Sequence, residues 1–190
     1  MSVATYTLAQ YVEDLRHISR DTRDLRAIVD RVRPLAQRLA LDRSWLEPRF
    51  YEGDPEQSFG LYLLHEEPDH QLAVFAVAWL PGGGSGPHNH LTWSVVAGVD
   101  GVETNTFWRR LDDGSRPGYA EIQRTGEKRF GPGDVLAMMP DAIHSVVNPT
   151  DAVTVSLHTY GMHLNYTGRS EFDPEKNTVG PIQRKVRRAD

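Results

Sequence analysis

Cysteine does not occur in this sequence of 190 residues. Its absence rules out disulfides, thiolate-ligated zinc, a thiol nucleophile and any thioether crosslink made from a cysteine. A metal held here must be held by His, Asp or Glu. Long apolar runs are missing too: none approaches the roughly 20 residues that cross a bilayer. The N-terminal stretch is studded with acids, Glu13, Asp14, Asp21 and Asp24 among them, which argues against a secretory leader. The sequence therefore reads as that of a cytoplasmic protein. Positive charge is also short: 21 Lys and Arg stand against 26 Asp and Glu, for a net charge of -5. The chain lacks the overall basic field that draws nucleic acid or anionic membranes, and neither is expected as a partner.

What is present fits one folded domain over residues 1–190, with 39% apolar and 25% charged residues. Leu8, Tyr11, Val12, Leu15 and Ile18 recur at helical steps, as do Leu25, Ile28, Val29, Val32, Leu35 and Leu39, so residues 1–45 are expected to form helices packed by one apolar stripe each. Asp21 is a candidate cap for the second helix, and Pro34 is expected to kink it or restart it. From Phe59 the pattern changes to short β-rich runs: Gln71 to Trp79, Thr92 to Ala97, Val102 to Arg110, Ala120 to Phe130, Asp134 to Met139 and Val153 to Tyr160. Turn chemistry separates them, at the Pro81 to Pro87 glycine loop, Val99-Asp100-Gly101, Asp112-Asp113-Gly114 and Gly131-Pro132-Gly133. Strands without intervening helices predict an antiparallel sandwich or small barrel over 59–165. Residues 166–190 look irregular, and the basic run Arg184-Lys185-Val186-Arg187-Arg188 reads as a solvated end.

Eight histidines are available: His17, His65, His70, His88, His90, His144, His158 and His163. His88 and His90 are two apart in a strand-like run, so both imidazoles point to one face and form a chelating pair. His144 leads the run Ser145-Val146-Val147, and an antiparallel neighbour can bring it in as a third ligand. Three neutral imidazoles on one side of a metal leave the opposite positions open. His65 and His70, with Glu66 and Asp69 nearby, are a weaker second grouping of the kind that acidic surface turns also produce.

These residues resemble the cupin superfamily, whose first motif is a Gly, five residues and then HxH, and whose second holds a His, three residues and then an Asn. The sequence shows Gly82 ahead of His88-Asn89-His90, and later His144 with Asn148. Where many cupins carry a metal-binding Glu after the second His, Ser94 and Val95 stand here, which points to the three-histidine branch. Ser156, His158 and Tyr160 lie at i, i+2 and i+4 of one strand-like run, facing one side. They are similar to the Ser-His-Tyr relay of the thiol dioxygenases. The likeness spans roughly residues 60 to 172, with Trp79 nine positions before His88. Within it, His90-Leu91-Thr92-Trp93 resembles the bacterial 3-mercaptopropionate dioxygenases more than the animal cysteine dioxygenases, whose Cys-Tyr crosslink a cysteine-free chain cannot make.

The resemblance implies a mainly β fold, a cupin barrel (double-stranded β-helix, or small jelly roll) with N-terminal α-helices. It implies an Fe(II) cofactor on His88, His90 and His144, and oxidation of a small thiol carboxylic acid by O2 to a sulfinate. Where cysteine dioxygenases have a carboxylate-binding Arg on an early strand, this chain has Leu61-Tyr62-Leu63-Leu64-His65. The mercaptopropionate type instead uses an Arg eleven residues after the relay His, which is Arg169 here. Its planar fork of donors suits a carboxylate. Trp93 is a further candidate for the substrate wall, although it and Trp79 also suit aromatic core positions.

The chemistry can also be argued without the family. Three neutral ligands leave a divalent metal its full charge, so a directly bound thiolate supplies the missing anion. A cupin oxygenase acting on a non-thiol chelate, a zinc-dependent hydrolase or lyase, and a metal- or ligand-binding sensor share the same three histidines. The sequence leaves open which thiol is used, which metal is native, and whether an exposed barrel edge makes a homo-oligomer.

Overall fold

In the computed structural model, which describes residues 5–189, two helices lie against one face of a two-sheet β structure. Helix α1 spans Leu8–Asp21 and opens with a capping box between Thr7 and Gln10. Helix α2 spans Leu25–Asp42, and its cap is Asp24, whose carboxylate accepts from the Arg26 and Ala27 amides. Asp21 instead closes α1 and pairs with Arg31 at 3.0 Å. Pro34 neither ends nor restarts α2. It lies on the exposed face, as does Asp30, whose carbonyl loses its helical donor, so water can take that bond.

Twelve strands follow among the described residues: β1 (Phe59–Glu66), β2 (Gln71–Trp79), β3 (Gly84–His88), β4 (Ser94–Asp100), β5 (Glu103–Arg110), β6 (Ile122–Phe130), β7 (Val135–Met138), β8 (Ile143–Val147), β9 (Thr154–Met162), β10 (Ser170–Asp173), β11 (Thr178–Pro181) and β12 (Arg187–Arg188). They form two six-stranded sheets, ordered β12-β1-β2-β9-β4-β7 and β11-β10-β3-β8-β5-β6. Antiparallel pairs nest inside one another, β2 with β9, β3 with β8, β4 with β7 and β5 with β6. That nesting is one long hairpin rolled into two facing sheets, which is the jelly-roll topology of a cupin barrel. No helix among the described residues is long and apolar enough to cross a membrane.

Side-chain alternation then sorts the core. Val74 of β2, Val95, Ala97 and Val99 of β4, and Val155 and Leu157 of β9 face outward and are covered by Tyr11, Leu15, Ile18, Val29, Val32 and Leu39 of the helices. The alternate residues face the barrel lumen, where Phe59, Leu61, Phe75, Val77, Trp79 and Tyr160 form a second cluster. Strands β2 and β9 are covered on both faces; β2 accordingly reads as an almost unbroken apolar run, whereas β9 alternates apolar residues with Ser156, His158 and Tyr160.

Two segments differ from the sequence expectation. The Gly-Ser-Gly-Pro stretch expected as a turn becomes β3, because its glycines allow a backbone approach that a side chain would block. A Cβ on Gly84 would sit 2.0 Å from the Val146 carbonyl oxygen. Of the segment 166–190, expected as irregular, the described residues contribute β10, β11 and β12. Asn165 exchanges hydrogen bonds with the Arg184 backbone, and Arg187 donates to the Tyr62 hydroxyl at 2.8 Å, so the basic end is tied to the barrel.

Candidate metal centre

His88 ends β3 and lies opposite His144 of β8 in the ladder, while His90 follows in the link to β4. Asn89, between the two histidines, turns away and pins β10 by exchanging bonds with the Ser170 backbone. One ligand nitrogen from each of His88, His90 and His144 lies within 4.8 Å of the others, the one such grouping of three among the described residues. The Nε2 atoms of His90 and His144 are 3.3 Å apart.

Each imidazole is held by its other nitrogen. Nδ1 of His88 lies 2.9 Å from the Gly86 carbonyl, Nδ1 of His144 lies 2.9 Å from Asn105 Oδ1, and Nδ1 of His90 lies 3.2 Å from Ser94 Oγ. The carbonyl and amide oxygens accept, so His88 and His144 carry their protons on Nδ1 and turn Nε2 lone pairs to the centre. Burial pushes His88 down to about 4, helped by the charge of Arg169. Burial and the neighbouring imidazoles hold His90 and His144 well below the usual range. Neutral imidazoles with lone pairs crowded together repel unless a cation lies between them, so the donor set fits a divalent transition metal. Asn148 is not among the donors. It clamps the loop before β9 by donating to the Trp79 and Ala152 carbonyls at 3.0 and 2.7 Å.

The second histidine grouping does not assemble. His65 pairs with Glu67 and His70 with Glu66, at 2.8 and 2.7 Å. His70 also stacks on Tyr166 with ring centroids 3.7 Å apart.

Ser156, His158 and Tyr160 face the lumen from β9 and form a continuous chain, with Ser156 Oγ 2.9 Å from His158 Nε2 and His158 Nδ1 2.8 Å from the Tyr160 hydroxyl. The Tyr160 ring lies 5.0 Å from that of His90. Burial pushes His158 down to about 3 and raises the Tyr160 phenol. The relay has partners that sequence reasoning missed: Ser156 donates to Glu103 Oε2 at 3.1 Å and accepts from Trp79 Nε1 at 3.1 Å. Glu103 in turn accepts from Asn105 Nδ2 at 3.2 Å, which joins the relay to the partner of His144. The i, i+2 spacing of Glu103 and Asn105 on β5 was legible. Which face of that strand turns inward was not.

A small cavity of about 30 Å³ lies over the imidazoles, walled by the apolar side chains of Phe59, Leu61, Val77, Leu164 and Ile182 and by two cations, Arg169 and Arg184. Arg169 is 4% exposed, and its Nε has no hydrogen-bond partner among the described residues. Burial lowers its affinity for a proton, to a pKa of about 10. Arg184 is anchored to Glu171 at 2.8 Å. Trp93 is not in this wall. It sits at an odd position of the run leading into β4, on the face that packs against the helices, and a Cβ on Gly161 would meet its indole nitrogen at 2.3 Å.

No protein-family model matches the sequence. Among solved structures, an oxalate oxidase aligns at 13% identity over 66% of this chain and 62% of its own, with a TM-score of 0.48. The chain thus spans less than two thirds of that protein's length. A cupin superfamily protein from Desulfitobacterium hafniense aligns at 15% identity over 59% of this chain and 84% of its own, TM-score 0.42. KdgF from Halomonas sp. aligns at 17% identity over 58% and 86%, TM-score 0.43. The strand order itself gives a jelly-roll barrel of the cupin type, and the three buried imidazoles give that barrel a site suited to a metal.

Proposed function

We propose that this protein oxidises a small thiol carrying a carboxylate, of the 3-mercaptopropionate or cysteine type, to the sulfinate with Fe(II) and O2. The observation that carries the reading is one small cavity faced by three neutral imidazoles, a relay-held phenol and a buried guanidinium that makes no salt bridge among the described residues. A buried cation left unpaired is costly, so the cavity favours an anionic ligand. The volume of about 30 Å³ is far below the roughly 300 Å³ at which pockets for drug-sized ligands begin.

Fe(II), held by His88, His90 and His144, would supply attachment points for the thiolate sulfur and for O2 and mediate electron flow between them. Both atoms of O2 end on sulfur, so the reaction needs no outside reductant. Arg169 binds the substrate carboxylate through its fork of donors and fixes the distance from carboxylate to sulfur. The apolar wall excludes bulk water. Tyr160, held by His158, offers its hydroxyl to the ligand, accepting the thiol proton or donating to oxygen, while Ser156 fixes the His158 ring.

The test is oxygen uptake by anaerobically Fe(II)-loaded protein against a panel of small thiols, with carboxylate-free cysteamine included and zinc-loaded protein as control. Uptake with iron alone, faster for mercapto acids than for cysteamine, is the expected result. Uptake with a hydroxy acid or β-diketone and with no thiol would replace this reading by the non-thiol oxygenase. Turnover by the zinc form without oxygen would replace it by a hydrolase or lyase.

A further inference from the structure

We propose that Glu103 is the far end of the relay: a proton given up by the ligand at Tyr160 passes through His158 and Ser156 to the Glu103 carboxylate, and its arrival reverses each hydrogen bond on the way. This rests on the reading of Tyr160 as the group that faces the thiol. Glu103 touches neither ligand nor metal site, so it is a positioning residue that works through Ser156.

The direction of the chain follows from proton counting. An ionised carboxylate only accepts, so the single Ser156 hydroxyl proton goes to Glu103 Oε2, 3.1 Å away. Ser156 Oγ already accepts from Trp79 Nε1. His158 Nε2, 2.9 Å from that oxygen, must then carry a proton and donate it. Nδ1 of the neutral ring is left as an acceptor, so the Tyr160 hydroxyl donates to it at 2.8 Å. In this state the phenol oxygen presents lone pairs to the cavity.

With one proton added at Glu103, each bond turns round. The carboxylic acid donates to Ser156, Ser156 donates to Nε2, Nδ1–H donates to the phenol oxygen, and the Tyr160 proton points into the cavity. Both states satisfy all the groups involved. Passing between them, the thiol S–H bond breaks as the Tyr160 oxygen gains a proton, and the phenol's own proton moves to Nδ1. The Nε2 proton moves to Ser156, and the serine proton moves to Glu103. One proton leaves the thiol, one arrives at the carboxylate, and nothing between them changes charge.

The environment suits this path. Glu103 is 3% exposed, and burial raises it to about 7, so it can hold a proton near neutrality, where an ordinary carboxyl at about 4.3 would not. His158, pushed down to about 3, stays neutral and changes tautomer rather than charge. Few groups face Glu103 among the described residues. They are Asn105 on its own strand, Ser156 with His158 and Tyr160 behind it on β9, Trp79 on β2, and Phe130 opposite it on β6. Asp100, at the end of β4, is occupied by Arg43 and Tyr51. Arg169 acts on Tyr160, and His88 on His158, without reaching Glu103.

The experiment is nitrogen NMR of His158 in zinc-loaded protein labelled at histidine, which reads the tautomer without thiol, iron or oxygen. In the wild type, His158 is expected to change from Nδ1–H to Nε2–H as pH rises through neutrality. In Glu103→Gln the amide donates to Ser156 as the acid form does, so His158 should stay Nδ1–H throughout, with an unchanged fold by circular dichroism. Ser156→Ala cuts the path at a second point and should also remove the pH response. A wild-type tautomer that does not change across the neutral range, or a Ser156→Ala protein that still switches, would overturn the proposal. Failure of thiol oxidation would instead appear as absent oxygen uptake, whatever the tautomer does.

Discussion

The two faces of β9 differ by a one-residue step and do opposite work. Val155, Leu157 and Thr159 look out at the helices and build an apolar core, in which the polar Thr159 hydroxyl is satisfied by Tyr11 at 2.6 Å. Ser156, His158 and Tyr160 look into the lumen, and each buried polar atom finds a partner in the next. A strand in the middle of the fold can therefore carry chemistry at no loss of packing, provided that one face supplies apolar burial and the other a closed hydrogen-bond chain. The comparison predicts that damage to the outer face lowers stability while damage to the lumen face lowers ligand and metal functions.

The largest separation is expected between His144→Ala and Leu157→Ala. Loss of His144 should abolish metal binding, read by calorimetric titration with zinc, with little change in the unfolding midpoint of the metal-free protein. Loss of the Leu157 side chain, fully buried against the helices, should cost about 2–5 kcal/mol in denaturant unfolding and leave metal stoichiometry intact. Comparable stability losses in the two variants would erase the distinction between the faces.

Acid should weaken the lumen face first. His88 and His158 have folded-state pKa values depressed to about 4 and 3, so the folded protein binds fewer protons than the unfolded chain below the ordinary histidine value. Stability conferred by their neutral burial is fully present above about pH 6.5 and falls as pH drops toward the folded values, by about 3 kcal/mol for His88 alone. Glu103, raised to about 7, works in the opposite sense, with its contribution lost as pH rises from the ordinary carboxyl range toward 7. The histidines dominate, so the metal-free protein should lose stability on acidification, and bound zinc should move that loss to lower pH. Thermal unfolding against pH, with and without zinc, measures both.

A smaller effect is expected at Asn105→Ala, which removes the acceptor from His144 Nδ1. Zinc affinity should fall about 10–100-fold, as is typical when the partner of a ligating imidazole is lost. Unchanged affinity by competition titration would show that the Asn105 contact does not tune the centre.

Much of this arrangement can be read from spacing alone. Period-two alternation aligns Ser156, His158 and Tyr160, the HxH spacing marks His88 and His90 even though His90 lies in the link after β3 rather than in a strand, and helical steps mark both α1 and α2. The strand built from Gly84 to His88 was hidden because its residues have turn-like propensity, and it exists through close pairing with Val146 and Val147. Trp93 takes the core position its aromatic ring suits and not the substrate wall, because proximity to His90 in sequence is not proximity in space when the strand parity differs. Glu103, Asn105 and Arg184 were not found, because their roles depend on which face of β5 is inward and on how the C-terminal segment crosses the barrel mouth. Both are tertiary facts with no local signature.

The most direct measurement is mass analysis of the product formed by iron-loaded protein from 3-mercaptopropionate under isotopically labelled dioxygen. The account predicts a sulfinate carrying two labelled oxygens for each O2 consumed. A disulfide, a singly labelled product or unchanged thiol, from protein shown to hold iron on its three histidines, would contradict it.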